Sequence, residues 1–226
     1  MRDIPQIDNG KKPLQPLNII HFIWLPSSTP YGNLLLKGRD IVRRIDRVNL
    51  EVGRVFTSYV HPSKEDINNP QQDLVEHQFY AEQVVYWMRK TADELISLAY
   101  VIDEWNRTRK WPMSVRIDSI AGLKESPSEE LRQLFAPHDA FLTTLNEISN
   151  AFKHSFINTD MTVAGSEYPV VFALALKRNK LSEPPQFYSV NFAEMVEAFS
   201  RLYKEVIATI QQWANPGKAK NEQSAT

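Results

Sequence analysis

Apolar residues recur three and four positions apart over the longest uninterrupted stretch of the chain. They run from Leu74 through Phe79, Val84, Val85, Met88, Leu95, Ile96 and Ala99 to Ile102, which is a helical period. Asn69 is placed to cap, Pro70 suits a first helical position, and no breaker follows until Pro112, so the pattern predicts one very long helix over 70–107. Its apolar side chains spread over more than one face, so other helices should pack on several sides of it. The same period returns in Phe192, Met195, Phe199, Leu202, Val206 and Ile210, opened by Asn191 with Glu194 three positions on, and predicts a capped helix over 191–214. Helices are also expected across 127–157. Ser126, Pro127 and Glu129 signal one start, Pro137 interrupts, and Phe141, Leu145, Ile148 and Phe152 form the core face of the segment from 137 to 157. A short helix is predicted at 114–122.

Other stretches break this period. "NIIHFIWL" (18–25) and "VGRVFTSYV" (52–60) are rich in β-branched and aromatic residues and read as two strands within 18–60, with a short basic helix, "GRDIVRRIDRV", between them. "YPVVFALALKR" and "QFYSV" read as a β-hairpin at 168–190. The expected fold is mainly α, a helical bundle around one long helix with a small β component. A single domain is expected over 18–214, between a flexible N-terminal tail (1–17) and a disordered C-terminal tail (215–226).

Composition narrows the function. With 226 residues there is ample chain for a hydrophobic core, and 42% apolar against 23% charged residues is ordinary for a folded domain. A formal net charge of -1 lacks the basic excess of a dedicated nucleic-acid binder. The absence of cysteine excludes disulfides, thiolate metal sites and a cysteine nucleophile, and fits a reducing compartment. No stretch has signal-peptide character or the length to span a bilayer, so the expectation is a cytoplasmic protein with no membrane partner. The sequence also lacks a glycine-rich phosphate loop, a G-x-S-x-G elbow and an H-E-x-x-H pair.

What remains are constellations. "LNEISNAFKHSF" (145–156) carries Asn146, Asn150 and His154 at four-residue spacing, a narrow polar sector opposite Leu145, Ile148 and Phe152. Such a stripe is either a solvated face or a functional one, and asparagine is a poor enough helix former that two of them in mid-helix hint at a hydrogen-bonding duty. On the long helix, His77, Glu82, Arg89 and Asp93 sit among apolar neighbours, and Arg89 and Asp93 are spaced to pair. If buried, they must find partners, and a polar seam between Arg89, Asp93 and the Asn146, Asn150 and His154 stripe is one arrangement that satisfies them.

"SNAFKH" (149–154) resembles the motif of the HEPN superfamily, in which an arginine, a polar residue, three variable residues and a histidine follow one another. The resemblance implies a helical bundle, pairing of two such motifs in a homodimer, and, in active members, metal-independent RNA cleavage by the histidine and arginine. Asn150 matches the polar position and His154 the histidine, but Ser149 stands where the arginine belongs. Lys153 offers only a point charge on a different bearing. The expectation is therefore a non-catalytic HEPN-like module that binds RNA or a protein partner through Asn146, Asn150, Lys153 and His154. The alternative is a degenerate ribonuclease or other hydrolase, with His154 and Asn150 catalytic and Arg89 supplying the missing guanidinium.

Three lesser patterns are weighed against ordinary roles. Arg39, Arg43 and Arg47 share a helical face that could track phosphates, but Asp40 and Asp46 dilute it and favour a solvated helix. His138 and Asp139 form a metal-ligand-type pair to which His77 and Asp160 could add, although Asp139 is explained as a first-turn acid. Arg132 and His138 are separated by Pro137, so one helical face does not fix their geometry. No metal and no cofactor is expected.

Overall fold

The computed structural model describes residues 4–10, 25–59, 73–155, 168–176, 179–180 and 182–215. Five α-helices carry the fold: α1 (Leu34–Ser58), α2 (Asp73–Thr108), α3 (Glu129–Phe135), α4 (Asp139–His154) and α5 (Phe192–Ala214). One antiparallel pair, β1 (Val170–Ala175) and β2 (Gln186–Asn191), completes the elements, with single 3-10 turns at Ala121–Glu125 and Ala136–His138. The protein is thus mainly helical with a small two-stranded sheet.

One of the β expectations changes. Residues 52–58, expected as a strand, are the last two turns of α1, and the short helix expected at 38–48 is its middle. Ile41, Ile45, Val48, Val52 and Val55 are all fully buried at spacings of four and three, so burial along one helical stripe overrides the β preference of branched side chains. The other expected strand, 18–25, lies outside the described residues apart from Leu25. Asn69 and Pro70, placed at the start of the long helix, also lie outside them.

At the N-terminal end of α3 the cap is Ser128, two residues later than expected. Its hydroxyl accepts from the Leu131 backbone N–H at 3.1 Å, while Ser126 Oγ accepts from Ser128 N–H. The segment 114–122, expected as a short helix, is irregular until the 3-10 turn. Asn191 caps α5 as expected, its Oδ1 accepting from the Ala193 and Glu194 N–H groups at 2.9 and 3.3 Å.

The chain divides into two compact units: Met1–Ile7, Arg47–Arg89 and Ala140–Phe199 form the first, and Asp8–Asp46, Lys90–Asp139 and Ser200–Thr226 the second. Within the first, Phe56 meets Phe192 and Tyr168 at ring-centroid distances of 5.9 and 6.5 Å, and Phe141 meets Phe199 at 6.3 Å. Phe172 and Phe187 stack across the hairpin at 5.8 Å, the diagonal contact allowed by the Leu174 to Phe187 register. Ile7, expected in a mobile tail, is 1% exposed, and its N–H donates to Asn49 Oδ1 at 2.8 Å while its carbonyl accepts from Asn49 Nδ2.

Glu51 is fully buried in this unit and held by Arg47 at 2.7 Å and Arg54 at 3.0 Å. Such a carboxylate persists because both guanidiniums compensate the loss of water.

The second unit has its own ion cluster. Glu94 accepts from Arg44 at 2.7 Å and Lys37 at 2.8 Å. Burial alone would raise its pKa, but the two cations outweigh that and hold the carboxyl below its ordinary range. At the end of α2, Trp105 and Trp111 stack at 5.5 Å, with the Arg109 guanidinium over Trp105. Arg109 closes the helix in a left-handed conformation, φ 57°.

A candidate binding cleft between α2 and α4

Helix α4 sorts its residues as its period dictates. Leu142, Leu145, Ile148, Ser149 and Ala151 are buried, Asn146 is half-buried, and Asn150, Lys153 and His154 are exposed. The polar stripe therefore divides. Asn146 turns inward, where its Oδ1 accepts from Arg89 Nε of α2 at 3.0 Å, while Asn150 and His154 face water.

Of the seam expected from the sequence, the step from Arg89 to Asn146 is present. Asp93 is used in the second unit, where its Oδ1 accepts from the Ile120 N–H at 3.0 Å. Arg89 engages α4 at Asn146, eight residues before His154, a separation of about 12 Å along the helix axis. The α4 C-terminus is satisfied by Asn179, whose Nδ2 donates to the His154 carbonyl at 2.9 Å.

Ser149 is only 2% exposed and its Oγ has no hydrogen-bond partner among the described residues. A buried unpaired hydroxyl costs about 1–3 kcal/mol. This position, where the HEPN motif has arginine, points with the apolar side of α4 rather than toward solvent.

Ser149 also lines an open cleft of about 260 Å³, with Phe79, Glu82, Gln83 and Tyr86 of α2 and Phe152 and Lys153 of α4. The aromatic walls are far from hidden: Phe79 is 60% and Tyr86 41% exposed. Lys153 Nζ stands 5.2 Å over the Tyr86 ring, and Tyr86 meets Trp87 edge-on at 5.1 Å. Glu82 is exposed as a residue, yet burial of its carboxyl raises its pKa above the ordinary value.

The cleft is not evident from the sequence, where Phe79 reads as part of the helix core. The spacing of Phe79, Glu82 with Gln83, and Tyr86 along one face of α2 was the available signal.

The remaining candidates have structural partners or stand alone. Arg47 is paired with Glu51, Arg43 lies 4.0 Å from Asp40, and Arg39 is half-buried. His138 is buried with its Nε2 2.7 Å from Glu205, and Asp139 opens α4. His77 is buried with its ring 5.6 Å from Tyr59, and Asp160 lies outside the described residues. Among the described residues no three histidine or acidic side chains gather as metal ligands, and no helix is long and apolar enough to cross a membrane. Compared with known family models, curated proteins and solved structures, the chain matches none.

Proposed function

We propose that the protein is a non-catalytic, HEPN-like, cytoplasmic binding module, and that the α2–α4 face of its first unit recognises a protein partner. The observation that carries this reading is the exposure of Phe79 and Tyr86 beside a formed cleft, with Asn150, Lys153 and His154 on the adjoining helix. Exposed large aromatics grouped around a concavity are the composition of interaction hot spots, and an ordinary solvated face does not carry them.

Charge favours a polypeptide over RNA. Among the residues lining the cleft, the single cation Lys153 is offset by Glu82, so there is no net positive field to attract phosphates. Catalysis is disfavoured by position: Arg89 reaches Asn146 and Ser149 is buried, which supplies no guanidinium for the exposed His154.

The test is selection of peptides from a random display library on the full chain, with counter-selection on a Tyr86→Ala, Lys153→Glu variant. It is run beside RNA binding and cleavage in EDTA for wild type and His154→Ala. Peptides that depend on the two residues, and RNA cleavage that is absent or unchanged in His154→Ala, are expected. Cleavage lost in His154→Ala makes the protein a metal-independent ribonuclease and overturns the proposal. Light scattering on the same samples reads the remaining case: a homodimer dissociated by Lys153→Glu identifies the partner as a second copy of the chain.

A further inference from the structure

We infer that the cleft seats a tyrosine side chain of the partner polypeptide, with its phenol hydroxyl hydrogen-bonded to Ser149; this rests on the protein-binding reading above. The walls, Phe79, Tyr86 and Phe152, suit an aromatic ring, which packs edge-to-face or offset against its own kind. Lys153 already stands over one ring and supplies a cation to the same aromatic cluster. The volume of about 260 Å³ is just below the range of about 300–1,000 Å³ that holds drug-sized ligands and cofactors. One ring with a small polar tip fits within it.

Ser149 decides which ring. Its hydroxyl is buried and unpartnered, and a serine side chain rotates between staggered wells, so it can turn to meet a group in the cleft. A hydroxyl both donates and accepts, and a phenol does the same, so the pair forms in either direction. Serine is short, so the occupant must carry its polar atom close to the Ser149 hydroxyl. Tyrosine carries its hydroxyl at the far end of the ring, whereas phenylalanine has none and the indole N–H of tryptophan lies on a side edge. A phosphate-bearing base is disfavoured because Glu82 lines the same space.

The probes are N-acetyl-tyrosinamide and N-acetyl-phenylalaninamide, titrated into the full chain and followed by amide NMR shifts at Ser149, Phe152 and Lys153. The tyrosine amide should bind about three- to tenfold more tightly than the phenylalanine amide, the range of one net hydrogen bond. Ser149→Ala should erase that ratio while leaving phenylalaninamide affinity unchanged. Phe79→Ala, an exposed change that leaves folding intact, should weaken both amides. Equal binding of the two amides to wild type, a ratio that survives in Ser149→Ala, no binding of either, or displacement of the tyrosine amide by uridine monophosphate overturns the inference. The two readings separate cleanly. Tyrosinamide binding with the expected Ser149 dependence but no selected peptide overturns the partner reading alone, and selected peptides lacking tyrosine overturn the tyrosine seat alone.

Discussion

Replacing Arg89 by Met and Asn146 by Ala, singly and together, isolates the hydrogen bond that links the long helix to the stripe on α4. The bond runs from a charged donor to a neutral carbonyl at 3.0 Å, a class worth about 1.5–3 kcal/mol when well buried. Both residues are half-buried, so water recovers part of that, and the coupling should be about 1 kcal/mol. In a chain of this size that corresponds to about 2–4 °C in melting temperature. Arg89 also engages other groups, so its single replacement should cost more than the coupling. Asn150→Leu is the control: one turn further along the same stripe but exposed, it should be neutral within about 0.5 kcal/mol. Urea denaturation of the wild type, the three variants and the control gives the cycle. A coupling below about 0.3 kcal/mol, or an Asn150→Leu cost equal to that of Asn146→Ala, would refute the division of the stripe into a buried and a solvated part.

Three further outcomes follow from the same physics. Ser149→Ala removes a buried unpaired hydroxyl and should raise stability by about 1 kcal/mol in a thermal melt; a loss would mean the hydroxyl has a partner in the free protein. Glu94 is held below its ordinary pKa of 4.5, so its stabilisation is complete above that pH and is lost as the pH falls through the lower folded value. Glu94→Gln should therefore lower stability at pH 7 and flatten the acid limb below pH 4.5, and parallel pH profiles would contradict the ion cluster. Asn191→Ala should cost about 1 kcal/mol through loss of the α5 cap, read by denaturant midpoint at unchanged slope.

The fold was legible where a long period and a cap coincided. The α2 stripe, the α5 stripe and the Asn191 cap each repeat one message over several turns, and the structure bears them out. It was not legible at 52–58, where Val52, Val55 and Phe56 read as β by residue type while their spacing already fitted the stripe of Ile41, Ile45 and Val48. Packing along α1 decided between the two signals. Within the candidate site, the stripe on α4 was visible but its division was not. Whether Asn146 or His154 turns inward depends on where α2 lies, which no local pattern encodes. Phe79 shows the same limit, since an apolar residue on a helix says nothing of which side the neighbours occupy.

Asn191 has a consequence for how this chain can vary in length. It pairs with Val170 as the last residue of β2, and its side chain caps α5, which begins at the very next residue. The join contains no spare residue. One added there would either pull Asn191 out of the ladder or turn the apolar stripe of α5 by about 100° away from its core. Insertions, tags and permuted ends are excluded from this junction.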